Sequence, residues 1–128
     1  MIAHVTSAAL ASENKYLSHP ASVDSIPTST DKEDHVSMGV TAGIKLLKVI
    51  ENTRYCLAIE ALCASQAIDF QSPQKTSKAL QAVHETIRKS VPKIEKDRVF
   101  NKDIEMIAKL IKNNEIINVC EKVTGVLR

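Results

Sequence analysis

The stretch DHVSMGVTAGIKLLKVIENTRYCLAIEALCASQAIDF, residues 34–70, decides the fold, because no proline interrupts it. Within it Val36, Val40, Ile44, Leu47, Ile50, Leu57, Ala61, Ala64 and Ile68 recur at steps of 3, 4 and 7, the spacing that gathers apolar side chains on one side of a helix. The spacing predicts one long helix over residues 34–70. Its first half carries Lys45, Lys48, Glu51 and Arg54, which belong on a solvated face. Its second half, YCLAIEALCASQAIDF, has only Glu60 and Asp69 as charges. That half is apolar almost all round, and its Ala and Ser residues let neighbouring helices approach closely.

Such a helix is about 55 Å long at about 1.5 Å per residue, whereas a compact globule built from a chain of this size is only about 36 Å across. The helix is therefore expected to protrude. Either it kinks near Gly39 or Gly43, or other chains cover its apolar surface, since a protruding apolar helix is an aggregation hazard. Small residues favour the second outcome, a place in a multi-helix bundle.

Upstream, Ile2, Val5, Ala9 and Leu10 suit a helix over residues 2–17. SHPASVDSIPTST, residues 18–30, cannot continue it, because Pro20 and Pro27 remove backbone donors and disfavour helical geometry before them. A connection of this length without periodicity is more often functional than idle. Downstream, residues 75–90 are amphipathic through Leu80, Val83 and Ile87 and stop at Pro92. KIEKDRVFNKD, residues 93–103, reads as a polar connection. DIEMIAKLI, residues 103–111, and EIINVCEKVTGVL, residues 115–127, read as short helices parted near Asn113 and Asn114, with Gly125 as a C-cap. No alternating run of strand length and no internal repeat is present. The predicted fold is all-α: one helical unit over residues 1–128, a long-helix bundle with a Pro/Ser-rich loop before its longest helix and short helices at the C-terminus.

Composition agrees with a globular chain: 128 residues, 44% hydrophobic, 25% charged, three Gly and four Pro. The formal net charge of +2 is spread among interspersed Asp and Glu, so there is no basic stripe for phosphate and no nucleic-acid partner is expected. No run is long and uncharged enough to span a bilayer, so no membrane partner is expected either. Cys56, Cys63 and Cys120 are odd in number and form no metal-ligand spacing; they read as buried, reduced thiols. Ala-Leu-Ala near the start mimics a cleavage site, yet no Lys or Arg precedes Lys15, so a signal peptide is not expected and a cytoplasmic address is.

Thr30-Asp31-Lys32-Glu33 fits a capping box, with Thr30 as N-cap and Glu33 reaching back to a free backbone N–H. On pattern alone this is the simpler explanation of Glu33. The alternative uses the same position differently: a carboxylate beside Asp34 and His35, at the end of a long loop, can face a cavity and bind or deprotonate a substrate. Metal binding by Glu33, Asp34 and His35, with His19 and Asp24 joining them in space, is poorly supported, because consecutive helical residues point in different directions and no HExxH spacing exists. No metal site is expected. His4 and His84 are better read as surface or half-buried residues. There is no nucleophile elbow and no Gly-rich phosphate loop.

Four runs together carry a more specific signal: ALASENKYLSHPASVDSIPTS, EDHVSMG, ENTRYCLAIEALCASQAIDF and KDRVFNKDIE. They resemble the C-terminal part of the histidine ammonia-lyases, within the aromatic amino acid lyase family, over residues 1–105. The Glu-Asp-His-Val-Ser-Met-Gly run looks like the histidine enzymes rather than the phenylalanine or tyrosine ones, which usually carry another residue at the position of Glu33. The resemblance implies release of ammonia from L-histidine to give trans-urocanate, through a methylidene-imidazolone that forms from an internal Ala-Ser-Gly. This chain has no Ala-Ser-Gly. The electrophile, and the tyrosines, asparagine and arginine that line the site in the family, are therefore expected in an N-terminal portion outside it, and no cofactor-binding residue is expected here. Glu33 matches the family's glutamate near the substrate imidazole and is the candidate catalytic residue. Asp31-Lys32 departs from the family's usual Asn-Gln; a neighbouring cation favours an ionised Glu33 and an extra anion opposes it. The resemblance also implies a homotetramer with a central bundle of long helices, in which residues 34–70 are one stave. The competing reading is a non-catalytic helical oligomerisation or interaction module that keeps the bundle without the chemistry.

Overall fold

The computed structural model describes residues 1–23, 25–33 and 35–127. In chain order its helices are α1 (Ile2–Leu17), α2 (Gly39–Phe70), α3 (Lys78–Ser90), α4 (Asn101–Lys112) and α5 (Glu115–Thr124). Among the described residues the one strand-like feature is an isolated antiparallel bridge between Thr28 and Glu33. The chain is all-α, as its periodicity predicts.

Helix α2 is the spine. It packs against α1 and α4, while α3 lies against α5, and α4 touches both. The core gathers Ala58, Ile59 and Leu62 of α2, Ile87 of α3, Val91, and Ile104, Ile107, Ala108 and Leu110 of α4. Each fully buried Ile or Leu contributes about 1.5–3 kcal/mol relative to exposure. The small residues work as expected on one side only: Ala58 and Ser65 are buried, whereas Cys63 and Ala64 on other sides of the same segment are exposed.

Polar ties hold the helices in register. Asn52, buried against α1, donates from Nδ2 to Glu13 Oε2 at 2.7 Å and to Asn14 Oδ1 at 3.0 Å. The Gln66 amide pairs with the backbone of Ile94, donating to its carbonyl at 3.2 Å and accepting from its N–H at 2.9 Å. Asp69 at the end of α2 meets two residues of α3, His84 Nε2 at 2.9 Å and Arg88 Nε at 3.0 Å. Arg98 spans the turn before α4, donating to Asp103 at 2.8 Å and to the carbonyls of Pro92 and Lys93.

Several boundaries differ from those predicted. The long helix begins at Gly39 rather than at residue 34, with Met38 as its N-cap in a left-handed conformation, φ 38°. Residues 35–37 are instead non-helical and lie alongside the preceding loop, where Ser37 and Val36 are bonded to serines of that loop. Asp34, the predicted first residue of the helix, lies outside the described residues. Helix α3 starts at Lys78 rather than residue 75, because Ser77 caps it, its Oγ accepting from Leu80 N–H at 3.4 Å. Helix α4 begins two residues earlier than read, at Asn101, and α5 ends at Thr124, where Gly125 with φ 79° serves as the C-cap. The reading of all three thiols as buried does not hold: Cys63 is exposed and Cys56 half-buried, because α2 is covered by α1 and α4 but not all round, and Cys120 on α5 is half-buried.

The shorter α2 still spans about 48 Å at about 1.5 Å per residue, and it runs without a break through Gly43. Its first half is packed on one side by the end of α1 and the root of the following loop and leaves another side open. Val40, Ile44, Leu47 and Ile50 are 81%, 65%, 69% and 46% exposed, an apolar stripe that the described residues leave largely uncovered. The purified chain is expected to self-associate through this stripe. Light scattering that showed a monomer at high concentration would establish that the stripe is stable in water alone.

Candidate functional site

Helix α1 stops at Leu17 because Ser18 turns back on it, its N–H and Oγ both reaching the Asn14 carbonyl, at 2.9 and 2.7 Å. The segment that follows, up to Met38, carries Glu33. Among its described residues none is fully buried, and only Ala21, Val36 and Met38 are half-buried. Its order comes instead from rungs between its two limbs. Ser22 Oγ donates to the Ser37 carbonyl at 2.7 Å, Val36 N–H donates to Ser25 Oγ at 3.1 Å, and Thr28 and Glu33 exchange backbone bonds at 2.8 and 3.3 Å. At the root, the Lys45 ammonium on α2 donates to the His19 carbonyl. Ordering a residue costs about 1–2 kcal/mol, and a hydrogen bond returns about 0.5–1.5 kcal/mol, or about 1.5–3 kcal/mol when charged. A limb with so few rungs and no buried apolar side chain is therefore held close to its limit.

The tip is strained. Ser29, Thr30 and Asp31 are all left-handed, with φ 53°, 57° and 60°. Each L-residue in that region costs about 1–2 kcal/mol, and for the β-branched Thr30 the conformation is a true outlier. Strain of this kind clusters at functional sites. It also removes the capping box: Thr30 is the middle of a turn closed by Lys32 N–H on the Ser29 carbonyl, and the helix does not begin until Gly39. Glu33 is thus not a cap. Its backbone is fixed in the bridge to Thr28 while its side chain is exposed.

A carboxylate presented in this way can accept a hydrogen bond or a proton from a group brought to it, but no described residue of this chain encloses it. The clefts lie elsewhere. One of about 340 Å³ opens between α2 and α4, lined by Glu51, Arg54, Tyr55, Lys109 and Lys112 among others. Another of about 320 Å³ sits at the root of the loop, lined by Leu17, His19, Lys45, Leu46 and Val49 among others. Glu33 lines neither. Among the described residues no group of His, Cys, Asp and Glu side chains is arranged to hold a metal ion. Of the weakly supported metal set, His19 and His35 are exposed, and Asp24 and Asp34 lie outside the described residues. His84 is half-buried beside Asp69, far along the sequence from the loop, and His4 is exposed on α1. No described helix is long and apolar enough to cross a membrane.

Sequence reasoning singled out Glu33 but missed what holds it. Ser22 and Ser25 read as generic loop serines, Ser37 as part of the long helix, and Lys45 as one more charge on a solvated face. The only local signal was the density of Ser and Thr, whose hydroxyls bond to backbone in place of regular ladders.

Comparison with known proteins places this geometry. The profile of the family described as aromatic amino acid lyase matches residues 1–89. A histidine ammonia-lyase of Stigmatella aurantiaca is 52% identical over 124 residues, which covers 97% of this chain and 24% of that protein. One of Burkholderia ambifaria is 55% identical over 119 residues, covering 93% of this chain and 24% of its own length. The crystal structure of histidine ammonia-lyase from Trypanosoma cruzi matches with a TM-score of 0.91 at 45% identity, over 95% of this chain and 24% of that one. A tyrosine aminomutase from Streptomyces globisporus matches at 0.86 with 33% identity, over 94% of this chain and 23% of that one. The chain thus spans about a quarter of the length of the curated relatives it matches. With the match over residues 1–89 and these identities across nearly its whole length, the chain belongs to the aromatic amino acid lyase family.

Proposed function

We propose that this chain is the C-terminal part of a cytoplasmic histidine ammonia-lyase, which converts L-histidine to trans-urocanate and ammonia, and that Glu33 acts on the substrate imidazole. The observation that carries this is the state of Glu33 itself. Within a Glu-Asp-His-Val-Ser-Met-Gly run, its backbone is pinned by the Thr28 bridge beside a strained tip, while its carboxylate is exposed on a segment with no core to serve. Pinned there, the carboxylate can accept a hydrogen bond from a ring N–H, which fixes the ring's orientation, or take its proton.

The electrophilic methylidene-imidazolone of such lyases supplies the sink for the amino acid's elimination. The residues here do not fit it: the chain's three glycines follow Met38, Ala42 and Thr124, so none stands in the Ala-Ser-Gly from which the group forms. It belongs to chain outside these 128 residues. The exposed stripe of Val40, Ile44, Leu47 and Ile50 supports a place for α2 in a homotetrameric bundle, with residues 1–128 acting as one helical unit.

The same stripe is what favours the second reading, a helical oligomerisation module without chemistry. One experiment separates the two. The purified chain alone, given high L-histidine, is expected to form no urocanate by ultraviolet absorbance. Refolding it together with a separately produced N-terminal portion is expected to restore activity under the lyase reading and to leave none under the module reading. Urocanate formed by the chain alone overturns both.

A further inference from the structure

We propose that Lys45 is a positioning residue for Glu33: its grip on the His19 carbonyl clamps the root of the loop whose outer rungs set the backbone of Glu33. The role rests on the lyase reading of Glu33, whereas the clamp itself does not.

The second limb of the loop runs directly into α2 at Gly39, so one side of the bridge is anchored by a rigid helix. The first limb leaves α1 through His19, whose N–H donates to the Tyr16 carbonyl at 3.2 Å, and is not continuous with a helix beyond that point. Before the rungs at Ser22, Ser25 and Thr28, the Lys45 ammonium on the His19 carbonyl ties this limb to α2 by a hydrogen bond, beside the packing of Pro20 and Ala21 in the cleft with Ala42 and Leu46. Lys45 is half-buried, unlike Lys48 one turn on, and its stem lies in the cleft with Leu17, Leu46 and Val49. A side chain so placed covers apolar surface with its methylenes while its charge makes a charge-assisted bond. The acceptor is a backbone carbonyl, so the tie sets main-chain position rather than a side-chain orientation. Without it, the first limb relies on its rungs to the second limb and on Ala21 against α2, and a shift at its root reaches Glu33 through the Thr28 bridge.

The test uses the full-length protein that carries this chain, with Lys45→Met, which keeps the stem and removes the donors, and Lys45→Arg, which restores donors. A displacement of about 1 Å in a catalytic group can cost about 100-fold in rate. Lys45→Met is therefore expected to lower kcat by about 10- to 100-fold with a smaller change in KM. Lys45→Arg should recover most of it. The deciding measurement is the same substitution in a Glu33→Gln background. If Lys45 acts through Glu33, its effect there shrinks to less than about 3-fold, because residues acting as a unit are not additive. An undiminished effect in the Gln background, or no loss at all, overturns the proposal.

Hydrogen exchange on the same proteins reads the clamp without turnover. The Glu33 and Val36 amides, both bonded within the loop, should exchange at least about 10-fold faster in Lys45→Met, with the amides of α2 around Asn52 unchanged. Unchanged exchange overturns the clamp. Faster exchange in a protein that forms no urocanate would retain the clamp and reject the lyase reading, so the two failures are distinct.

Discussion

Glu33→Gln in the complete enzyme is expected to leave the melting temperature near that of the parent and to slow urocanate formation by about 100- to 10,000-fold, the usual contribution of a general acid or base. Folding should be indifferent for a structural reason. The bridge to Thr28 uses only the backbone of Glu33, its side chain is exposed, and it caps no helix. Exposed substitutions away from caps and ion pairs usually stay within about 0.5 kcal/mol. The comparison is sharper than one made on sequence alone, since a capping glutamate would have linked stability to the same side chain. Gln keeps the shape and one acceptor oxygen while losing the charge and the capacity to take a proton. An initial rate close to the parent's would remove Glu33 from the chemistry.

Ile107→Ala is expected to have the largest effect on stability. Ile107 has no exposed surface and sits on the face of α4 turned into the cluster of Ile59, Leu62, Ile87 and Val91. Truncating a buried Ile to Ala removes its transfer energy and leaves a cavity, at about 2–5 kcal/mol. Ile117 on α5, 48% exposed, is the control, and its replacement by Ala should cost much less. Denaturant midpoints measure both. Equal losses at the two positions would show that the core is not organised around α4. Self-association adds to apparent stability by mass action, so both variants are to be compared at one protein concentration.

The sequence determined what depends on neighbours three or four residues away. Apolar spacing and the breaks at Pro20, Pro27, Pro92 and the Asn113-Asn114 pair are enough to predict five helices, because helix formation is a local matter of period, propensity and interruption. That the long helix leaves apolar surface uncovered was also legible, from its length against the size of the chain. Boundaries were less so. Thr30 to Glu33 satisfies the capping pattern in one dimension, but a turn serves the same polar groups, and the choice was made by Ser22 on Ser37 and Ser25 on Val36, pairs 15 and 11 residues apart. No local window contains both partners.

The same limit governed burial. Cys63 and Ser65 are alike in local setting, yet Ser65 is buried and Cys63 exposed, because only the tertiary placement of the other helices says which sides of α2 are covered. Asp69 read as a stray charge in an apolar segment until α3 brought His84 and Arg88 to it across 15 and 19 residues. For the candidate site, the identity of Glu33 could be read from the chain. Its exposure, its strained turn and its tether through Lys45 and His19 could not, since each is a property of how two limbs and a helix meet, decided by hydrogen bonds and packing between residues that are distant in sequence.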